Sequence, residues 1–263
     1  MLLAFADRSP TNGELEKLRL ILSTYQDGTG MLNIGGRNLP GWRDFERAVA
    51  LAFGGEAQES KAIFDVLLTD PETGIKAGVS CKMRDTLRET RRTEQATIEV
   101  SNSAGYFWAR LKQHGLDEQN YHTAPGEVGG TVVHLIGEWH ESVSTIHGGA
   151  VDMQRSCYLA LQWDHRAGEY QLFQFPLQFP SSDSLYWEVS GKRLIGSSGA
   201  KKVFEWYGSS GGQLKYYPPI SGATWHSDVF HLEPLPESGS GYGLIRKTAE
   251  LFPGLWERAC WEA

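Results

Sequence analysis

The feature that most constrains this chain is a pair of β-rich runs, KAIFDVLLTD (61–70) and IKAGVSCKMR (75–84), joined by the short turn PETG (71–74). Two such runs across a Pro/Gly turn read as a hairpin. Folding it near Glu72 brings Asp65 opposite residues 79–80. Side chains alternate along a strand, so Ser80 and Lys82 share one face while Val79 and Cys81 share the other. In one of the two registers open to the hairpin, Asp65, Ser80 and Lys82 all project from the same face. Ile63, Phe64, Val66, Leu67, Leu68 and Val79 surround them. Charged groups in so apolar a setting are costly unless they pair or bind a metal.

The rest of the chain supplies helices and further strands. Thr11 and Glu14 have capping-box spacing and open a helix running to about Tyr25, with Leu15, Leu18, Leu20 and Ile21 as its apolar positions. A glycine-rich link (Gly28, Gly30, Gly35, Gly36) follows. Pro40 then marks a second helix, in which Trp42, Phe45, Val49 and Phe53 recur until Gly54–Gly55 stops it. Beyond the hairpin, a charged segment (85–97) leads to IEVSNSAGYFWARLKQHG (98–115), where a Ser/Asn cluster precedes a helix ended by Gly115. Residues 116–130 read as a loop and TVVHLIGEWH (131–140) as a strand. CYLALQW (157–163) and YQLFQF (170–175) form a second hairpin around DHRAGE. The last ninety residues, rich in Gly, Pro and Ser, read as short strands and long loops. No linker is evident, so the expectation is one elaborated α/β domain over residues 1–263.

Composition narrows the function classes. Nine Trp, ten Tyr and eleven Phe in 263 residues allow a sizeable core. Cys81, Cys157 and Cys260 cannot form a closed disulfide set and contain no CxxC pair, which suits a reducing cytoplasm and gives no zinc signature. The opening MLLAFADRSP is charged too soon for a signal peptide, and no run of 18 apolar residues exists to span a membrane. The histidines lack ligand spacing, and neither GxSxG nor GxxxxGK[ST] occurs.

A net charge of −7 argues mildly against a nucleic-acid partner, but the charge is uneven. Residues 82–92 carry Lys82, Arg84, Arg88, Arg91 and Arg92 against Asp85 and Glu89. Residues 191–217 carry Lys192, Arg193, Lys201, Lys202 and Lys215 against Glu205, interleaved with Phe204, Trp206, Tyr207, Tyr216 and Tyr217. Gly-Ser loops in that stretch (GSSGAKK, GSSGGQLK) could track phosphates through backbone N–H groups and lysines. Surface loops over core aromatics are the plainer reading.

Phosphodiester hydrolysis gives the Asp65–Lys82 arrangement a purpose. A carboxylate binds a hard ion such as Mg²⁺, which neutralises charge building at phosphorus and makes a nearby water more acidic. A neighbouring lysine orients that water and adds positive charge at the reacting phosphate. One carboxylate rarely suffices, so a second is expected from elsewhere.

These residues resemble the PD-(D/E)xK nucleases, and among them the Type II restriction endonucleases. That family places an acid on one hairpin strand and (D/E)-x-Lys on the next. Here Asp65 matches the first acid and Ser80-Cys81-Lys82 the tripeptide, while Glu46 in RDFERAVALAF looks like the glutamate of the preceding helix. Phe64 stands where the motif has proline, and Ser80 where it has its second acid. One branch, which includes readers of CCGG-type sites, has serine there and takes its glutamate from the following helix. Glu94 and Glu99 bracket that position, and Glu99 is preferred. The resemblance spans roughly residues 40–115.

The resemblance implies a restriction-endonuclease-like core, a mixed β-sheet flanked by helices over about residues 40–175, with residues 176–263 as a β- and loop-rich elaboration. It implies Mg²⁺ held by Asp65, Glu99 and the Cys81 backbone carbonyl, with Lys82 assisting the water and Ser80 in the vacated acid position. The CCGG-type branch also carries an Arg/acid/Arg cluster in this place, to which the stretch holding Arg88, Glu89, Arg91 and Arg92 is similar though not identical. Arginine reads guanine and a carboxylate reads cytosine, so a GC-containing duplex site is expected, with Lys201 and Lys202 on the phosphates. Palindromic sites call for a homodimer. The alternatives are another nuclease of the same superfamily, an inactive DNA-binding module in which Asp65 and Lys82 are a structural ion pair, and an aromatic-rich carbohydrate-binding β domain.

Overall fold

The computed structural model describes residues 2–57, 63–102, 104–208, 212–236 and 243–262. Lys61 and Ala62 of the first apolar run, Ser103, and residues 209–211 of the second Gly-Ser loop lie outside the described residues, as do the side chains of Ser101 and Asn102.

Helix α1 (Asn12–Thr24) opens on the expected capping box: the Glu14 N–H donates to Thr11 Oγ1 at 3.2 Å and the Thr11 N–H donates to Glu14 Oε2 at 2.8 Å. The glycine-rich stretch is more than a link. Strands β1 (Leu32–Ile34) and β2 (Arg37–Leu39) form a small hairpin that turns on Gly35 and Gly36, with φ of 59° and 79°. Two consecutive positive φ values match the twist of such a hairpin, and glycine adopts them without strain. Helix α2 (Trp42–Phe53) starts two residues past Pro40, with Gly41 as its cap. The buried Asp44 carboxylate secures that start by accepting the N–H groups of Gly41 and Met31, each at 2.8 Å.

The expected hairpin is present. Strands β3 (Glu56–Ala57), β4 (Val66–Thr69) and β5 (Lys76–Arg84) run antiparallel in sequence, with Val66 opposite Val79. β5 is nine residues long against four in β4, so residues 80–84 run on past the end of their neighbour. The chain then forms α3 (Leu87–Thr93), β6 (Ile98–Asn102), α4 (Ala104–Gln113) and α5 (Pro125–Glu141) before returning as β7 (Cys157–Asp164), parallel to β5. A parallel neighbour requires such a long crossover. β7 and β8 (Glu169–Pro176) are the expected second hairpin.

Three expectations are corrected in this crossover. TVVHLIGEWH is helix, part of α5, whose Val128, Val132, Val133, Leu135, Ile136 and His140 are buried. Spacings of three and four outweigh the β-branched composition there. Within 116–130, Pro125 starts that helix at the first-turn position where its missing N–H costs nothing. Residues 98–102 are a strand rather than the approach to α4.

The remaining strands are β9 (Tyr186–Ser190), β10 (Arg193–Ser198), β11 (Lys201–Trp206), β12 (Gln213–Tyr216), β13 (Trp225–His226) and β14 (Phe230–His231). Two helices that composition did not announce close the described chain, α6 (Leu244–Leu251) and α7 (Pro253–Glu262). The main sheet has the order β13-β8-β7-β5-β4-β3, with β14 also pairing β8. A second, antiparallel sheet has the order β6-β12-β11-β10-β9.

The protein is therefore α/β, a mixed sheet flanked by helices. One face of the main sheet (Val66, Leu68, Val79, Cys81, Leu159, Leu161) packs with α1 and α2. The other (Tyr158, Ala160, Phe173, Phe175) packs with α4, α5 and the inner side chains of the second sheet. Gly129 of α5 permits that contact, because a Cβ there would stand 2.3 Å from the Trp187 ring on β9. Among the described residues no helix is long and apolar enough to cross a membrane.

Candidate active site

Asp65 stands just before β4, where β5 runs on without its antiparallel neighbour. Its Oδ2 accepts the Cys81 N–H at 2.8 Å, the Ser80 hydroxyl at 3.3 Å and the Lys82 ammonium at 3.1 Å. Asp65, Ser80 and Lys82 thus share a face, as one of the two possible registers required. The carboxylate takes the ladder partner's place for Cys81. In an extended strand the N–H and C=O of one residue point to the same edge, so the Cys81 carbonyl faces the same opening.

That opening is a cavity of about 440 Å³ lined by Trp42, Glu46, Asp65, Cys81, Lys82, Met83, Arg84 and Glu99. α2 brings Trp42 and Glu46, one turn apart near its start. β5 brings Lys82 and Arg84, two residues apart and therefore on one face. β6 brings Glu99 from the second sheet. Asp65 and Lys82 are 15% and 19% exposed in their side chains, dry enough for their attraction to count and open enough to meet a ligand. Burial pushes the Cys81 thiol well above its ordinary value, so it stays protonated and is no nucleophile.

Glu99 reaches the cavity by a different route from the one expected, since it lies on a strand and not at the head of a helix. It is ion-paired with Arg84, and Gln213 Nε2 donates to its Oε1 at 3.2 Å. Glu94 does not reach the cavity. It is exposed at the left-handed end of α3, with φ of 56°. Trp42, Met83 and Arg84 are the lining residues that sequence reasoning missed. The signal for Arg84 was its place two residues beyond Lys82.

The predicted DNA-reading residues lie elsewhere. Arg88, Glu89 and Arg92 on α3 line a separate cleft of about 640 Å³ with Asp85, Trp163, Asp164, His165 and Arg166. Glu89 pairs with Arg92, and Arg91 is turned away to Glu169 at 2.5 Å. On β11, Lys201 is exposed, while Lys202 is drawn to Glu205 at 2.7 Å.

Among the described residues, one group of three metal-ligating types has its ligand atoms within 4.8 Å of one another: Asp85, Asp164 and His165. Internal bonds account for it. Asp85 Oδ2 lies 2.5 Å from His165 Nδ1, and Asp164 Oδ1 accepts the Arg166 and Ala167 N–H groups at 2.9 and 3.3 Å. Asp65, Glu46 and Glu99 surround their cavity without converging so closely. Their oxygens and the Cys81 carbonyl are nevertheless hard donors of the kind Mg²⁺ takes.

Compared with known proteins, the chain matches no family model, no curated protein and no solved structure.

Proposed function

We propose that this protein is a Mg²⁺-dependent DNA nuclease of the PD-(D/E)xK kind, acting as a Type II restriction endonuclease at a short GC-containing site. The observation that carries the reading is the gathering of Asp65, Lys82, Glu46 and Glu99 around one cavity at the free end of β5. A purely structural ion pair would not require two further carboxylates from α2 and β6 to face the same space.

In this reading Asp65, Glu46 and the Cys81 carbonyl would hold the ion, which would supply charge neutralisation at the phosphate and a more acidic water. Lys82, held by Asp65, donates a hydrogen bond to the attacking water and so orients it, while its charge favours the pentavalent phosphorus. Ser80 donates to Asp65 and fixes its carboxylate plane. Arg84 exchanges Glu99 for a phosphate oxygen of the substrate, a partner its fork fits equally well. Glu99, freed from Arg84, would be the further carboxylate able to hold the ion. Arg88, Glu89 and Arg92 read base edges from α3, with Lys201 on the backbone. Two copies related by a two-fold axis cut the two strands.

Incubation of wild-type and Lys82→Ala protein with phage DNA and Mg²⁺, then Mn²⁺, tests this on a gel. Discrete fragments from the wild type and none from the variant are expected. Intact DNA from both, with a duplex still bound, would leave an inactive DNA-binding module. Cleavage that depends on lesions or branched structure would mark a repair nuclease.

A further inference from the structure

The outer face of the second sheet carries a half-buried cation whose neighbouring carboxylates already serve other donors. Strand register sets Lys215 directly beside Glu99 on β6 and beside Glu205 on β11. Both carboxylates are already taken. Glu99 belongs to Arg84 and Gln213. Glu205, 1% exposed in its side chain, accepts from Arg193 at 2.9 Å, Lys202 at 2.7 Å and the Tyr217 hydroxyl at 2.6 Å. Lys215 forms no ion pair among the described residues; it is half-buried, with its ammonium 4.6 Å from the centre of the Tyr207 ring. Among the described residues, Arg84, Arg193, Lys202 and Lys215 therefore stand against Glu99, Glu205 and, three strands from Lys215 on β9, the exposed Glu188.

A half-buried cation among like charges is unfavourable until an anion joins it. Burial, and then the neighbouring Arg84, lower the Lys215 ammonium from its ordinary value. The aromatic ring beneath it offsets part of that cost. An incoming anion would offset more.

We infer that Lys215, with Arg84 beside it, forms a phosphate-binding site that seats the DNA backbone next to the Asp65–Lys82 cavity. The identity of the anion as backbone phosphate rests on the nuclease reading. Neighbouring strands lie about 4.8 Å apart, so Lys215, one strand beyond Glu99, suits a phosphate adjacent to the one in the cavity. The second sheet is then a platform that carries the strand away from the reacting centre.

Anisotropy of a labelled mixed-sequence duplex, titrated with protein at several salt concentrations and without divalent metal, tests this. Lys215→Gln is expected to bind about 5- to 10-fold more weakly at low salt and to show a salt slope shallower by about one. Lys215→Arg and Lys112→Gln, the latter an exposed lysine on α4, should follow the wild type. Wild-type affinity and slope in Lys215→Gln would overturn the site, as would an equal loss in Lys112→Gln or a wild type that does not bind the duplex. Mg²⁺ cleavage assays on the same proteins separate the two claims. Binding that responds to Lys215→Gln in a protein that never cuts would sink the nuclease reading and leave the phosphate site standing.

Discussion

At the scale of single residues, the position of Asp65 depends on its neighbour Phe64 and on a glycine across the hairpin. The Phe64 ring is buried, stacks on His140 with ring centres 5.9 Å apart, and lies flat against Gly78. A Cβ at Gly78 would stand 2.3 Å from Phe64 Cγ. A phenylalanine therefore does here by packing what a proline would do by backbone restriction, fixing the residue that precedes the acid. Gly78→Ala should cost about 1–3 kcal/mol by overpacking and slow cleavage as Asp65 is displaced, read as a lower Tm together with a lower rate. An unchanged Tm would show that Phe64 is free to move and does not set Asp65.

At the scale of elements, the second sheet is pinned by a buried charge. Burial alone would raise the Glu205 carboxyl, but Lys202, the Tyr217 hydroxyl and Tyr207 hold it down at about 2. A depressed carboxylate contributes stability that is present above its unfolded value near 4.3 and is lost as pH falls through the folded one. The wild type should therefore lose up to about 3 kcal/mol between roughly pH 5 and pH 2 from this group. Glu205→Gln, already weakened by leaving Arg193 and Lys202 unpaired, should show a flatter acid limb in denaturant titrations across that range. An acid limb as steep as the wild type's would assign the loss to other carboxylates.

Elements differ in how plainly the residues announce them, for physical reasons. The β4–β5 hairpin and α1 were legible because a Pro/Gly turn, a capping box and regular apolar spacing agree with one another. α5 was not, because Val132, Val133 and Ile136 favour strands and its four glycines favour neither state, so tertiary burial of one stripe decided it. Asp65 and Lys82 could be read from the spacing of the hairpin, whereas Glu46 and Glu99 were expected only from the resemblance to the nucleases. The junction of the hairpin with Glu99 could not be read from spacing, because β6 finds its partner β12 more than a hundred residues away. Local pattern does not encode such pairing. Arg91 shows the converse, a residue whose sequence neighbourhood suggests DNA contact and whose fold turns it toward Glu169.

At the scale of the whole molecule, β6 stitches the two sheets together, so the cavity lies where both contribute side chains. The far end of the chain is different in character. α6 buries none of its residues, and Ile245, Leu251 and Leu255 are 71%, 72% and 60% exposed. Helices of eight and ten residues are marginal in water without packing, and this apolar surface is where the proposed homodimer can be tested. Sedimentation should give twice the 29.3 kDa chain mass, and Leu251→Glu should shift it to the monomer. A monomeric wild type at micromolar concentration would remove the two-fold arrangement from the account.

The central claim is that Asp65 is needed for hydrolysis and dispensable for holding DNA. Asp65→Asn keeps the side chain's shape and removes the charge that holds Lys82 and that would hold the proposed metal ion. Its duplex affinity and its Mg²⁺-dependent cleavage rate, measured side by side with the wild type, test that claim most directly. The account predicts binding within a few-fold of wild type and a cleavage rate lower by about a thousandfold or more. Cleavage at the wild-type rate would contradict it, and would return Asp65 and Lys82 to the role of a cross-strand ion pair.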